Sequence, residues 1–166
     1  MISYLRFLHP RNSIESVILP PHKHARYNSV YEVGRTTGEY SKGLVKTDKS
    51  KSNPPHGLKL FAGSAYLVGS REFIEWVAHN ETVKEIIDWT RDTYSPDEMI
   101  WASLARLPGA PGARNAQGRW DVNELQTVAR IVKWHSFEDT AVYPVCHGYH
   151  KRGVCVFGIG DIPWVC

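Results

Sequence analysis

Two adjacent carboxylates, Asp97 and Glu98, follow a proline in the stretch Ser95-Pro96-Asp97-Glu98. This order is typical of a helix start, in which Ser95 caps the helix and Glu98 reaches back to the backbone N–H of the cap. A carboxylate held at a helix N-terminus is also placed to remove a proton from a hydroxyl group in a cleft. The residues alone favour the capping box and leave a catalytic role for Glu98 open.

The second group with chemical potential is the segment Cys146–Cys155, here called the cysteine loop, whose two cysteines enclose eight residues. Closing it as a disulfide would stabilise the fold by about 2.5 to 3 kcal/mol in the chain-entropy model. Zinc is the alternative, with His147 or His150 as further ligands, but zinc sites usually separate their cysteines by about two to four residues. The spacing favours a disulfide, which would leave Cys166 unpaired.

The balance of charge limits the partners of this chain. With 20 Lys and Arg against 17 Asp and Glu, the formal net charge is only +3, which is far from the concentrated positive charge of nucleic-acid-binding proteins. A local anionic ligand stays open, because Lys151 and Arg152 make the cysteine loop basic. This loop is either a solvated charged surface or an anion contact.

Donors and an aromatic ring that suit a saccharide occur elsewhere in the sequence. Glu15 precedes the run Pro20–Tyr27, in which Lys23 and Arg26 follow two prolines. Such a run is able to hold hydroxyl groups, although a plain polar loop has the same composition. Trp134 offers a flat face for a sugar ring, whereas burial in a core is the commoner fate of a single tryptophan.

The candidate residues must be positioned by the helices and strands of the chain, and the sequence predicts that these alternate. Helical spacing of apolar residues predicts three amphipathic helices around Phe73-Trp76-Val77, Val83-Ile86-Ile87-Trp89 and Ile100-Leu104-Leu107. Strands are predicted at Val30–Val33, Leu44–Lys46, Leu58–Phe61, Ala65–Val68, Ile131–His135 and Val154–Phe157. Loops are predicted at Thr47–His56 and Pro108–Gly118. This alternation predicts an α/β fold, and 166 residues suit a single domain.

The first residues predict the end of a helix, because Ile2, Leu5 and Leu8 recur at helical spacing until Pro10. We expect no membrane span, because the sequence has no run of about eighteen apolar residues. We expect no signal peptide either, because the start MISYLRFLHPRN lacks a long apolar core. The sequon Asn80-Glu81-Thr82 is a glycosylation site only in a chain that enters the secretory pathway.

Four stretches follow one another along the chain: LFAGSAYLVGSREFIEWV, DTYSPDEMIWASLARLPGAPG, ARIVKW and the cysteine loop followed by VFGIGDIPW. In this order they resemble the core 2 β-1,6-N-acetylglucosaminyltransferases, the mucin-type branching enzymes of glycosyltransferase family 14. The resemblance implies a partial GT-A-like domain, truncated at both ends and without the N-terminal nucleotide-binding strands. It further implies a Golgi type II membrane protein, with the catalytic domain in the lumen and an anchor outside this chain.

The resemblance also implies a reaction. N-Acetylglucosamine would pass with inversion from UDP-N-acetylglucosamine to the 6-hydroxyl of the N-acetylgalactosamine of an O-glycan, without metal or cofactor. The absence of a D-x-D motif from the sequence agrees with metal-independent transfer. A base takes the hydroxyl proton, and basic side chains meet the charge that builds on the departing diphosphate.

The family's functional positions fall on residues singled out above. Glu98 stands at the catalytic base and Arg152 at the arginine that contacts the diphosphate. The acceptor contacts of the family correspond to Glu15, Lys23, Arg26 and Trp134. The disulfide is expected between Cys146 and Cys155, a glycan at Asn80, and a metal ligand nowhere. Ser136 replaces a tyrosine of the core 2 members, which leaves the acceptor preference open.

Three alternatives stay open at this point. The first is an I-branching enzyme of the same superfamily, which acts on poly-N-acetyllactosamine. Arg152 and ARIVKW favour core 2 over I-branching. The residues CHG at the start of the cysteine loop, however, also occur in I-branching enzymes. An inactive saccharide-binding fragment is the second alternative, because the donor strands are missing. The third is a zinc module formed by Cys146, His150 and Cys155.

Overall fold

The computed structural model describes residues 12–34, 43–113, 129–140 and 143–165. Within these ranges short helices and strands alternate, as the α/β prediction requires. The strands are β1 (Val17–Ile18), β2 (Ser29–Val33), β3 (Leu44–Ser50), β4 (Phe61–Ala62), β5 (Tyr149–Lys151) and β6 (Val154–Val156). The helices are α1 (His24–Tyr27), α2 (Arg71–His79), α3 (Glu81–Trp89), α4 (Ile100–Leu104) and α5 (Ile162–Val165). The predicted helix near Ile2 lies outside the described residues.

In the described part of the chain the strands form antiparallel pairs, β1 with β4, β2 with β3, and β5 with β6. These sheets are two-stranded, so each depends on packing against helices and turns for its stability. The structure is therefore a mixed α/β arrangement with short sheets.

Helices α2 and α3 confirm two of the predicted amphipathic segments, and a polar side chain caps each of them. The Ser70 hydroxyl accepts a hydrogen bond from Phe73 N, and the Asn80 side chain accepts one from Val83 N. Their apolar faces enter the main core. That core consists of Ile14, Leu58, Phe73, Val77, Val83, Ile86, Ile100, Leu104, Ala105 and Ala110.

The third predicted helix is shorter than its apolar pattern. Helix α4 ends at Leu104, and Leu107 packs against the core from a following turn. Pro108 to Ala113 contain turns, as expected for a loop, whereas the rest of the predicted loop to Gly118 lies outside the described residues.

Strand boundaries differ from the prediction in three places near the main core. The predicted strand Leu58–Phe61 is wrong except at its last residue, because β4 is Phe61–Ala62 and forms only where the chain pairs with β1. The predicted loop Thr47–His56 is wrong at its start, since β3 continues to Ser50 through pairing with β2. The hydroxyl of Thr47 donates to Val30 O at 2.8 Å and supports that pairing. The predicted strand Ala65–Val68 is also wrong, because only Val68 pairs, in a single bridge with Ser13.

Lys51 connects the β2–β3 hairpin to the end of α3. Its side chain is buried, pairs with the Asp92 carboxylate and lies 4.5 Å from the centre of the Trp89 ring. Burial lowers the pKa of Lys51. This contact fixes the hairpin beside the segment that leads into Glu98.

Residues 129–140 and 143–165 together form what we call the cysteine unit. The strand predicted at Ile131–His135 is reduced to one bridge between Trp134 and Val154, and a 3-10 turn follows at His135–Phe137. Within the described residues, the guanidinium of Arg130 connects this unit to Tyr66, 4.4 Å from the ring centre.

Candidate active site

The site centres on the carboxylate of Glu98, which binds two cationic side chains; we call Lys23, Arg26 and Glu98 the carboxylate cluster. Lys23 Nζ lies 3.0 Å and Arg26 Nη1 2.8 Å from the same oxygen, Glu98 Oε2. Among the described residues no hydrogen bond engages the other oxygen, Oε1. The Glu98 side chain as a whole is 38% exposed.

The predicted capping box is wrong. Ser95 has a left-handed backbone (φ 47°) and its side chain makes no capping bond, since a cap needs an extended backbone. Glu98 N donates instead to the backbone oxygen of Ser95 at 3.2 Å. Pro96–Glu98 thus forms a separate 3-10 turn before α4, and its geometry leaves the Glu98 side chain available to Lys23 and Arg26.

Local sequence explains why Lys23 and Arg26 point to the same place. Pro21 begins a 3-10 turn, Pro21–Lys23, that runs directly into α1. Residues three apart lie on one face of such a helical segment, so both cations reach Glu98. Tyr27, at the end of α1, is buried and anchors the segment. Burial raises the pKa of Tyr27 to about 12.

The backbone of Glu15 lies next to Gly63, which in turn contacts Glu98 and α4. Gly63 N donates to Glu98 O at 2.9 Å. A Cβ atom at Gly63 would lie 2.1 Å from Glu15 O and 2.9 Å from Ala102 Cβ, so only glycine fits between them. Ser16 Oγ donates to Ala102 O at 2.8 Å and holds the Glu15 segment there.

Tyr94 and Tyr31 extend the carboxylate cluster with aromatic surface that the sequence reasoning missed. The Arg26 guanidinium lies 5.3 Å from the centre of the Tyr94 ring, and the Tyr31 and Tyr94 rings are 5.4 Å apart. Tyr94 is 39% exposed. Tyr94 lies only four residues before Glu98, within DTYSPDE, and this closeness in sequence could have indicated that it belongs to the site. An exposed ring beside polar groups suits the apolar face of a sugar.

The electrostatics of the cluster keep Glu98 ionised. Partial burial pushes the pKa of the Glu98 carboxyl upward, but the hydrogen bonds and charges of Lys23 and Arg26 outweigh it. The pKa of Glu98 is therefore lowered from its usual value. A carboxylate of this kind is a weak base that is fully charged at neutral pH.

The other predicted site residues, Trp134 and Arg152, lie in the cysteine unit. Arg152 is exposed in the turn between β5 and β6, with a left-handed backbone (φ 54°), and Trp134 is partly buried beside Val154. No hydrogen bond or ion pair in the described part of the chain joins either of them to Glu98. The structure thus brings Lys23, Arg26 and Glu98 together, and it leaves the roles of Trp134 and Arg152 as predictions.

Cys146 and Cys155 form a disulfide, with their Cα atoms 5.8 Å apart. The zinc module at Cys146, His150 and Cys155 is therefore wrong, since bonded cysteines supply no thiolate. His150 Nε2 instead contacts Glu138 Oε1 at 2.5 Å.

A buried ion pair that the sequence reasoning also missed holds the cysteine unit. Lys133 Nζ lies 2.6 Å from Asp161 Oδ1, and both side chains are fully buried. The backbone N–H groups of His147 and Gly158 donate to the same carboxylate. The hydrogen bond from Lys133, with these backbone donors, lowers the pKa of Asp161 to about 2. The stretches ARIVKW and GIGD contain both residues, but nothing in them signals the pairing.

Asn80, the predicted glycosylation site, lies between α2 and α3 and is partly buried. Its Oδ1 atom accepts the capping hydrogen bond from Val83 N at 3.2 Å. In the described part of the chain, no helix is both long and apolar enough to cross a bilayer.

A carboxylate fixed by two cations beside the exposed ring of Tyr94 is a type of site that suits hydroxyl-rich ligands. The profile of the family described as Core-2/I-Branching enzyme matches residues 1–166. The chain therefore belongs to the core-2/I-branching enzyme family.

Curated relatives carry names of the same kind. Over 99% of its length the chain is 40% identical to β-1,3-galactosyl-O-glycosyl-glycoprotein β-1,6-N-acetylglucosaminyltransferase 3 of Rattus norvegicus, covering 37% of that protein. It is 41% identical over 99% of its length to the Homo sapiens β-1,3-galactosyl-O-glycosyl-glycoprotein β-1,6-N-acetylglucosaminyltransferase, covering 38%. A Danio rerio enzyme with the same name and the number 4 is 40% identical, with 99% and 38% covered. The chain spans a little over a third of the length of these relatives.

Proposed function

We propose that the protein transfers N-acetylglucosamine from UDP-N-acetylglucosamine to the 6-hydroxyl of an N-acetylgalactosamine in O-glycans, with inversion and without a metal ion. Family membership and the names of the relatives support the branching transfer. The observation that carries the proposal is the asymmetry of Glu98. One oxygen is held by Lys23 and Arg26, whereas the other accepts no hydrogen bond from the described residues and would receive the proton of a substrate hydroxyl.

In the proposed reaction Glu98 Oε1 accepts the proton of the acceptor hydroxyl while its oxygen attacks the anomeric carbon of the donor. The bond from that carbon to UDP breaks, and its electron pair leaves with the diphosphate. Arg152 meets this developing charge. A weak base is sufficient, because the hydroxyl becomes acidic as its bond to carbon forms.

Lys23, Arg26, Glu15 and Trp134 are the proposed acceptor contacts. Lys23 and Arg26 would keep Glu98 oriented and charged, and their remaining N–H groups would donate to sugar hydroxyls. Tyr94 would give the acceptor an aromatic face next to these donors. The cluster would then hold the acceptor in the orientation that the attack requires.

We further propose that this chain supplies the acceptor-binding part of a GT-A-like catalytic domain. The donor-binding strands and a membrane anchor would lie elsewhere in the intact protein, which would act in the Golgi lumen. The disulfide of the cysteine unit supports a location in an oxidising compartment.

The test is an assay of the intact protein with UDP-N-acetylglucosamine and Galβ1,3GalNAc in the presence of EDTA. We expect β-1,6 transfer, which Glu98→Gln should reduce by at least about 100-fold because the base is lost. Asp97→Asn is the matched control, since Asp97 is the exposed neighbouring carboxylate, and it should retain activity.

Full activity of Glu98→Gln would reject Glu98 as the base. Loss of all activity in EDTA, while circular dichroism shows that the protein is still folded, would reject transfer without metal. Transfer to poly-N-acetyllactosamine in place of Galβ1,3GalNAc would assign the I-branching reaction. Acceptor binding without any UDP binding, measured by calorimetry, would favour a saccharide-binding role without transfer.

A further inference from the structure

A group of metal-ligating side chains lies in the cysteine unit, apart from the carboxylate cluster. His135 belongs to the 3-10 turn after Trp134, Glu138 follows that turn, and His150 is on β5. Backbone pairing fixes the turn against the hairpin, because His135 N donates to Gly153 O at 2.9 Å. The three side chains are therefore brought together by two separate elements.

The donor atoms of these side chains are arranged around one carboxylate. His150 Nε2 lies 2.5 Å from Glu138 Oε1, and His135 Nδ1 lies 3.7 Å from Glu138 Oε2. The two imidazole rings meet edge to face, with centres 4.5 Å apart. One donor atom from each residue lies within 4.8 Å of the others. A single ion at the common centre would need only small movements of the side chains.

Burial divides the group into a fixed ligand and two adjustable ones. The side chain of Glu138 is only 8% exposed, and Cys146 N donates to its Oε2 at 3.3 Å. His135 and His150 keep 70% and 35% of their side chains exposed. The carboxylate is therefore held in place, and adjustment of the two imidazoles would bring their nitrogens to metal-ligand distances of about 2.0 to 2.2 Å.

We propose that His135, Glu138 and His150 form a Zn²⁺ site. Two imidazoles and one carboxylate are a donor set that zinc accepts, with solvent in the fourth position. Hard cations such as Mg²⁺ prefer oxygen ligands and should bind poorly there. The bound ion would tie the turn at His135–Phe137 to β5, next to the turn that carries Arg152.

Calorimetry of the intact, EDTA-treated and dialysed protein with ZnCl₂ tests this site. We expect saturable binding that Mg²⁺ at the same concentration does not reproduce. His135→Ala and His150→Ala should each weaken one Zn²⁺ site per chain by at least about tenfold, as should Glu138→Gln. His147→Ala is the control, because its ring lies against Gly160 and outside the group.

Circular dichroism without metal should show that both histidine variants fold like the parent protein. Because neither histidine side chain is buried, their replacement separates metal binding from folding even if Glu138→Gln fails to fold. Absence of Zn²⁺ binding in the parent protein, or unchanged affinity in either histidine variant, would overturn the proposal.

Discussion

Lys23 and Arg26 determine what the Glu98 carboxylate is able to do. Both bind Oε2 and stabilise the negative charge, so the carboxyl stays ionised well into the acidic range. The same contacts weaken it as a base. In an enzyme that uses this cluster, Glu98 would be a weaker base, but it would always be charged and correctly oriented to accept a proton.

Lys23→Met should therefore raise the pKa of Glu98, since a cation that favours the ionised form is lost. In the parent protein we expect the acid limb of kcat/KM to lie below the ordinary glutamate value of about 4.3. In the variant this limb should move to higher pH. The measurement is the pH profile of transfer between about pH 3 and 7, a range that extends below the ordinary glutamate value.

Lys49→Met is the matched control for that profile. Lys49 also forms an ion pair with a glutamate, Glu32, but both side chains are largely exposed and belong to the β2–β3 hairpin. Its loss should leave the acid limb in place. An unchanged limb in Lys23→Met would show that Lys23 does not control the ionisation of Glu98.

At the level of single residues, the sequence predicted part of this cluster. Glu98, Lys23 and Arg26 were identified through the family resemblance, and the structure brings their charged groups into contact. The residues alone favoured a capping box, because nothing in the local sequence predicts the left-handed backbone of Ser95. Tyr94 escaped notice because its proximity to Arg26 depends on tertiary packing.

At the level of elements, Gly63 controls the spacing of the site. Gly63→Ala should destabilise the protein by about 2 kcal/mol, because the added methyl group meets the backbone oxygen of Glu15, which has no freedom to move aside. The strain should also displace Glu98 and reduce transfer. Urea unfolding and the transfer assay measure the two effects.

Gly69→Ala is the matched control for this substitution. Its added Cβ would meet the ends of the flexible Ile74 and Leu67 side chains at 3.1 Å and the Phe73 ring at 3.3 Å, but no backbone atom. Those atoms are able to shift, so we expect a cost below about 1 kcal/mol. Equal stability losses at the two glycines would contradict the argument from close backbone packing.

Asn80 combines a helix cap with a glycosylation sequon, and substitutions separate the two. Asn80→Asp keeps an oxygen for Val83 N and removes the glycan acceptor, whereas Asn80→Ala removes both. Only the alanine variant should lose about 1 kcal/mol of unfolding free energy through the missing cap. Thermal unfolding of deglycosylated protein measures this difference.

Gel mobility after expression in a secretory host reports the glycan at Asn80. We expect the parent protein to shift on enzymatic deglycosylation and both variants to migrate without a shift. Thr82→Ala should also remove the glycan and keep the cap. A parent protein without a shift would contradict glycosylation at Asn80, and equal stability of the variants would contradict the cap.

Helices were more predictable than strands for a physical reason. The apolar faces of α2 and α3 recur at helical spacing, so local sequence is sufficient to predict them. Two-residue strands such as β1 and β4 depend on their partner: β1 was not predicted, and the strand predicted at Leu58–Phe61 overlaps β4 only at Phe61. The extension of β3 to Ser50 likewise depends on its pairing with β2.

At the scale of the molecule, the cysteine unit has its own covalent and ionic support. The disulfide closes the cysteine loop, and the Lys133–Asp161 pair connects the segment before that loop to the turn after β6. The sequence predicted the disulfide from spacing. It did not predict the ion pair, because burial of two opposite charges depends on how the whole unit packs.

The stability of the cysteine unit should fall in acid because of Asp161. Its pKa is about 2 in the folded protein, against about 3.9 in an unfolded chain. A lowered pKa contributes stability above the unfolded value, and this contribution is lost as the pH falls from about 4 through about 2. Hydrogen exchange of peptides that contain Cys155, whose amide donates to Lys133 O, measures the change locally.

Asp161→Asn tests that assignment, because it removes the titrating group and leaves Lys133 as a buried charge without its counterion. The variant should already exchange faster at neutral pH, and its exchange should change less between about pH 4 and 2 than that of the parent protein. Asp139→Asn is the control, since Asp139 is exposed and its positive φ of 58° suits asparagine equally. If the variant at Asp161 kept the acid dependence of the parent, another carboxyl group would have to hold the cysteine unit together.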